Sequence, residues 1–277
     1  MPLKLMYITN NPIIAKIAEM NGVDWIFVDL ESIGKEQRQP NMDTVKSSHT
    51  ISDILKVREV ISKSKLLVRI NSIYEGSTEE IDQVISAGAD IIMLPYFKSL
   101  DEVRFFVNYV GNRAQKCLLL ETQEAVNILD DILKCNGIDY IHIGLNDLHL
   151  EMKRKFMFEL LSDGTIENIA NKIKNSTIHY GFGGIAQLGC GDLPAEYIIA
   201  EHYRLNSSMV ILSRSFAPTN SKTHQKELEE IFSKGIKDIR SFEEKLIAKE
   251  TGFFEINKME IKKIVDKIVS KLGEKSV

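Results

Sequence analysis

The chain has 277 residues, 44% apolar and 27% charged, with 35 Lys+Arg against 39 Asp+Glu for a net charge of −4. That much apolar material builds a large core and excludes disorder as the main description, and a mildly acidic chain without a basic block carries no electrostatic footprint for nucleic acid. The longest apolar stretch, Ile91–Phe97, falls far short of the about 20 residues of a membrane span, and the start MPLKLMYITNNP lacks the apolar core and cleavage site of a signal peptide. Cys117, Cys135 and Cys190 are widely spaced and form no CxxC pair, which reads as free thiols in a reducing, cytoplasmic setting. Each is expected to serve as a small buried apolar residue.

Taken in chain order, the pattern alternates. Strand Leu3–Ile8 precedes helix Pro12–Met20. Strand Trp25–Asp29 leads through a long loop to helix Ile51–Lys63. Strand Leu66–Ile70 precedes helix Thr78–Ala87, and strand Ile91–Leu94 precedes helix Leu100–Val110. Strand Cys117–Leu120 precedes helix Gln123–Cys135. Strand Tyr140–Ile143 is followed by a helix over Thr165–Lys174, strand His179–Phe182 by a helix over Pro194–Leu205, and strand Met209–Leu212 completes the series. The segments NGVDWIFVDLES, AGADIIMLPYF and NGIDYIHIGLND resemble one another. In each, a Gly suited to ending a helix precedes an Asp and then an apolar run without strict alternation, as in a strand buried on both faces. Eight such units predict an α/β fold, a (β/α)8 TIM barrel over residues 1–218. An open doubly wound sheet is the alternative, but polar residues end nearly every strand, and a closed barrel turns all of those ends toward one pocket. Residues 219–277 read as a C-terminal helical extension. It is expected either to cover the barrel or to pack on a neighbouring subunit of a homo-oligomer.

Glu121 ends strand five and Asp147 follows strand six, so in a barrel they share one mouth. Two carboxylates without a His–Cys cluster suit a hard cation, Mg2+ or Mn2+, that keeps sites for water and substrate. The blander readings are a helix N-terminal acid for Glu121 and an N-cap for Asp147. Arg69, after three buried apolar residues, demands an anionic partner. It is expected to bridge to Asp29 or Glu31, to bind an oxygen on which enolate charge develops, or both.

VDWIFVDLES, LLVRINS, AGADIIMLPYFKSLDEV and the pair LLLETQEAV with GIDYIHIGLNDLHL occur in that order. With them the chain resembles the HpcH/HpaI-type 2-keto acid aldolase and citrate lyase β-subunit family, of the phosphoenolpyruvate/pyruvate barrel superfamily. The resemblance implies a lyase with Glu121 and Asp147 as metal ligands and Arg69 at the keto or enolate oxygen. It also implies that the backbone of Gly144, Leu145, Asn146 and Asp147 holds the carboxylate of a small keto or hydroxy acid. The chain departs from the aldolases at Asp29-Leu30-Glu31-Ser32, where they carry a His after the acidic pair, and at Leu119, where a Gln is common. Asp-Leu-Glu is closer to the citrate-lyase-like branch, so an acyl-CoA lyase and a catalytically inactive binding barrel stay open as alternatives.

His49, at the end of the loop before Ile51, is the candidate acid–base group, with a solvent-exposed His as the bland reading. Asp29 joins Arg69 and His49 in the catalytic set. Lys35 and Arg38 in the same loop would bind an anionic group. Gly183, Gly184, Ser213 and Arg214 would hold a distal phosphate or carboxylate. Gly181–Ala186 fits G-x-G-x-x-A, but its next helix starts too late for a dinucleotide turn. His142 is expected to pack or bond internally within strand six. His149 and His202 are unassigned, and no strand-ending Lys supports a Schiff base.

Overall fold

The computed structural model describes residues 2–34, 49–217 and 224–274. Lys35, Arg38 and the boundary expected at 218/219 lie outside these residues. Eight parallel strands close in sequence order into a barrel. They are β1 Lys4–Ile8, β2 Trp25–Asp29, β3 Lys65–Arg69, β4 Ile91–Leu94, β5 Gln115–Leu120, β6 Tyr140–Ile143, β7 His179–Ile185 and β8 Met209–Leu212. The first helices are α1 Pro12–Met20, α2 Ile51–Val60, α3 Ser77–Ser86, α4 Leu100–Val110, α5 Gln123–Asn127 and α6 Leu129–Ile132. After β6 come α7 Leu145–Glu151, α8 Glu159–Ser162 and α9 Thr165–Ile173, and then α10 Ala195–Arg204, α11 Gln225–Ile247 and α12 Thr251–Glu274.

The three similar segments share one device. Gly22 and Gly88 follow α1 and α3 at φ +94° and +97°, a backbone state that suits Gly. The Asp two residues on then turns back. Asp24 Oδ2 accepts the N–H of Leu5 at 2.8 Å, Asp90 Oδ2 that of Leu66 at 2.7 Å, and Asp139 Oδ2 that of Lys116 at 2.8 Å. Each motif therefore fastens its own strand to the start of the preceding one.

Inward positions alternate along the strands. Trp25 and Phe27 on β2, Leu67 on β3, Cys117 and Leu119 on β5 and Tyr140 on β6 fill the barrel interior. Continuing the same stripes, Asp29, Arg69, Glu121 and His142 are the next inward positions. The polar ends thus sit on an apolar floor, at the C-terminal face where barrel sites are built.

After β6 the structure departs from the sequence reading. The segment after β6 is already helical at Leu145, three residues before any apolar period repeats, so α7 was not predicted. The tail forms two long helices that pack on this chain's own barrel, α11 against α1 and α10, and α12 against α10 and α8. Buried Glu243 of α11 accepts the Leu3 N–H at 2.7 Å and is paired with Arg240 at 2.7 Å, tying the tail to the first strand. Among the described residues no helix is long and apolar enough to cross a membrane.

Candidate active site

Asp29 and Arg69 are direct neighbours in the β2–β3 register. That pairing produces a two-point contact: Arg69 Nε to Asp29 Oδ1 and Nη2 to Oδ2, both 2.8 Å. Arg69 Nη1 reaches Glu31 Oε2 at 3.1 Å, and its guanidinium lies 5.7 Å from the Phe27 ring centre. Both carboxylates are 2% exposed. Burial alone would make Arg69 easier to deprotonate, but Asp29, Glu31 and more distantly Glu121 overcome it and hold the group firmly charged. The bridge expected from sequence is present, to both acids at once.

On the opposite wall, Glu121 is 2% exposed and its Oε1 accepts the Tyr96 N–H at 3.0 Å. This is not the helix-terminal contact of the blander reading. Thr122 caps α5, accepting the Ala125 N–H at 3.1 Å, and Glu124 supplies the acid in the first turn. Gly144 is small for a reason: a Cβ there would stand 2.8 Å from Glu121 Oε2. Asp147 is the third residue of α7, and Gly144 rather than Asp147 holds the N-cap position. Glu121 and Asp147 leave adjacent strands, with Leu120 paired to Ile143. A cavity of about 300 Å3 opens at Asp147, lined also by Tyr96, Leu150 and Glu151.

Asp29, Glu31 and Glu121 all act on the one Arg69 guanidinium, so these three buried acids carry surplus negative charge. Hard oxygen donors with that surplus fit a dication. Among the described residues no cluster of three or more His, Cys, Asp or Glu forms a full protein cage. A pair of carboxylates suits an ion that keeps water and substrate in its shell.

The profile of the HpcH/HpaI aldolase/citrate lyase family matches residues 4–160. The chain belongs to this family. Its members are aldolases and lyases, which makes lyase chemistry the coarse assignment. Among solved structures, the HpcH/HpaI aldolase from Desulfitobacterium hafniense DCB-2 is similar at TM-score 0.60 and 17% identity, over 86% of this chain and 93% of that one. An HpcH/HpaI aldolase/citrate lyase family protein from Burkholderia cenocepacia J2315 is similar at TM-score 0.58 and 13% identity, over 77% and 89%. The citrate synthase SbnG is similar at TM-score 0.60 and 14% identity, over 77% and 87%. At these identities the likeness is one of fold. No curated protein matches the sequence.

Within this HpcH/HpaI barrel, His49 is half-buried at the mouth rather than exposed. Its Nδ1 accepts the Asp29 N–H at 3.0 Å. A backbone amide only donates, so the neutral ring carries its proton on Nε2. Ser32, at the position of the aldolases' His, gives its N–H to Asn71 Oδ1 at 2.9 Å. Gly144 gives its N–H to Leu120 O at 3.0 Å, which commits that amide to the sheet. Leu145, Asn146 and Asp147 form the first turn of α7, where N–H groups have no intrahelical acceptor.

The distal group is only partly assembled. Gly183 and Gly184 lie within β7 rather than in a loop. Ser213 Oγ bonds Ser215 at 2.8 Å, and Arg214 is exposed. Cys117 is buried, which pushes its thiol far up, whereas Cys135 is half-buried and Cys190 exposed, so only the first fits the buried expectation.

Tyr96 was missed. It holds φ +46°, its N–H supports Glu121, and its hydroxyl donates to Glu151 at 2.6 Å. Nothing in LPYF signals this. Asn71 and Glu80 were also missed as a unit. Asn71 Nδ2 donates to Glu80 at 2.8 Å while its oxygen takes the loop amides of Ser32 and Ile33, and burial raises the Glu80 pKa.

Proposed function

We propose that this chain is a divalent-metal-dependent carbon–carbon lyase of the class II aldolase type, acting on a 2-keto acid or related hydroxy acid through a pyruvate enolate. The observation that carries the reading is Arg69, a largely buried guanidinium fixed by Asp29 and Glu31 within electrostatic reach of Glu121. Glu121 and Asp147 would hold Mg2+ or Mn2+, whose charge would act as a Lewis acid toward the keto oxygen and carboxylate. In cleavage a proton leaves the 4-hydroxyl, the C3–C4 electron pair passes into the pyruvate fragment as its enolate, and C4 departs as a carbonyl. Arg69 donates to the enolate oxygen as charge builds there. Asp29 fixes the plane of that guanidinium. The backbone of Leu145–Asp147 receives the carboxylate, and Gly144 provides the clearance. His49 is the proton carrier, and taking a proton at Nδ1 means releasing the Asp29 amide. A homo-oligomer is part of the same proposal, read by light scattering.

Calorimetric titration with Mg2+ plus pyruvate or oxalate tests the reading, with saturable binding that needs both components as the expected result. Full activity after metal removal rejects the mechanism. The Glu31–Arg69 bridge, with Ser32 at the aldolases' His position, favours a second reading as a lyase of acyl-CoA thioesters. Turnover of CoA esters but not free keto acids selects it. Absence of any binding supports an inactive barrel.

A further inference from the structure

β7 slips register against β8 between Gly181 and Gly184. Within that irregularity Gly183 adopts φ +56°, and a Cβ on it would stand 2.7 Å from Leu145 Cδ1. The Leu145 side chain therefore rests directly on this piece of backbone. The carbonyl of the same glycine meets His142 Nε2 at 3.2 Å. A carbonyl only accepts, so Nε2 carries the hydrogen and donates it. The ring is 1% exposed. Burial, reinforced by the Arg69 charge, lowers its pKa to about 4 and keeps it neutral, although the Gly183 bond works the other way. With Nε2 protonated, Nδ1 holds a lone pair that is buried without a hydrogen-bond partner. Burying such an atom is unfavourable. Leu119, its partner in register, fills the neighbouring interior position with no polar atom at all. An imidazole as mere filler is therefore the worse choice.

We propose that His142 is a positioning residue: its bond to the Gly183 carbonyl fixes the β7 irregularity on which Leu145 rests, and so sets where α7 carries Asp147 to the barrel mouth. It acts through Gly183 and Leu145 and does not touch substrate. The link to activity rests on the proposed role of Asp147, whereas the positioning itself does not.

Amide hydrogen exchange reads the positioning with no ligand present. His142→Leu fills the space and removes both the donor and the buried lone pair, so its Tm holds or rises. Exchange at residues 148–151, the hydrogen-bonded amides of α7, and at 182–185 nonetheless becomes about tenfold faster, the equivalent of one lost hydrogen bond. Oxalate affinity in the presence of Mg2+ weakens by about the same factor. His142→Gln, whose amide nitrogen can reach the same carbonyl, restores both to within about threefold. Unchanged exchange in His142→Leu, or no rescue by His142→Gln, overturns the proposal. Faster exchange with unchanged oxalate affinity overturns the link to the site. If the wild-type protein binds no oxalate, the proposed function fails and the exchange arm alone decides this inference. Should His142→Leu not fold, Gly183→Ala pushes Leu145 directly and must reproduce the acceleration at 148–151; slow exchange there is equally fatal.

Discussion

The two walls of the barrel mouth solve the same problem differently. On the β2–β3 wall, buried charge is matched by buried charge: Asp29 and Glu31 grip Arg69 in a fixed fork. On the β5–β6 wall, the support is backbone and absence of bulk. Glu121 leans on the Tyr96 amide, and Gly144 leaves room for its second oxygen. The first wall is a rigid donor aimed at negative charge, and the second is where the negative surplus collects. The proposed enolate reaction would use both, a fixed guanidinium and a place for a cation.

The largest test removes the surplus. Glu121→Gln keeps the shape and the Tyr96 contact but deletes the charge. Metal-dependent turnover should fall about a thousandfold, with a small change in Tm. A variant that keeps its rate would show that the β5–β6 wall does not hold the ion. Next is the matched wall. Asp29→Ala leaves Arg69 with Glu31 in a buried site and should destabilise the fold by about 3 kcal/mol in urea titration. A loss below about 1 kcal/mol would mean the fork is solvated and the walls are not different in kind.

Acid tests the interior beneath both walls. The His142 pKa falls from 6.5 to about 4 through burial first, and that of His202 falls well below 6.5 for the same reason. The unfolded chain therefore binds protons that the folded one refuses. Stability is complete above about pH 6.5 and declines as pH falls toward 4, by on the order of 3 kcal/mol for His142. Denaturant midpoints across that window should show the slope, and His142→Leu should flatten part of it. The smallest effect is expected at Gly144→Ala. Its methyl would crowd Glu121 Oε2, and Mg2+ affinity should drop about tenfold while the Asp29–Arg69 pair and Tm stay nearly unchanged.

Much of the first wall could be read in the residues. A guanidinium ending the apolar run LLVR requires a carboxylate, and VDLE on the preceding strand offers two. The second wall could be read only in part. Glu121 and Asp147 stand out as strand-end acids, but Tyr96, Gly183 and the early start of α7 do not. Each of these acts through a backbone amide or carbonyl, and every residue has those groups, so no letter marks them.

The sequence by itself determined the barrel, because eight apolar runs separated by amphipathic segments bury both strand faces in one way. It also determined the charge pairing of the β2–β3 wall, because a guanidinium ending a buried apolar run must meet the carboxylates of the neighbouring strand. Only the tertiary structure decided how each carboxylate is held, that His49 turns its Nδ1 to the Asp29 amide, and that His142 reaches across to Gly183. These depend on strand register and on a local slip in β7, which arise from packing between segments far apart in the chain.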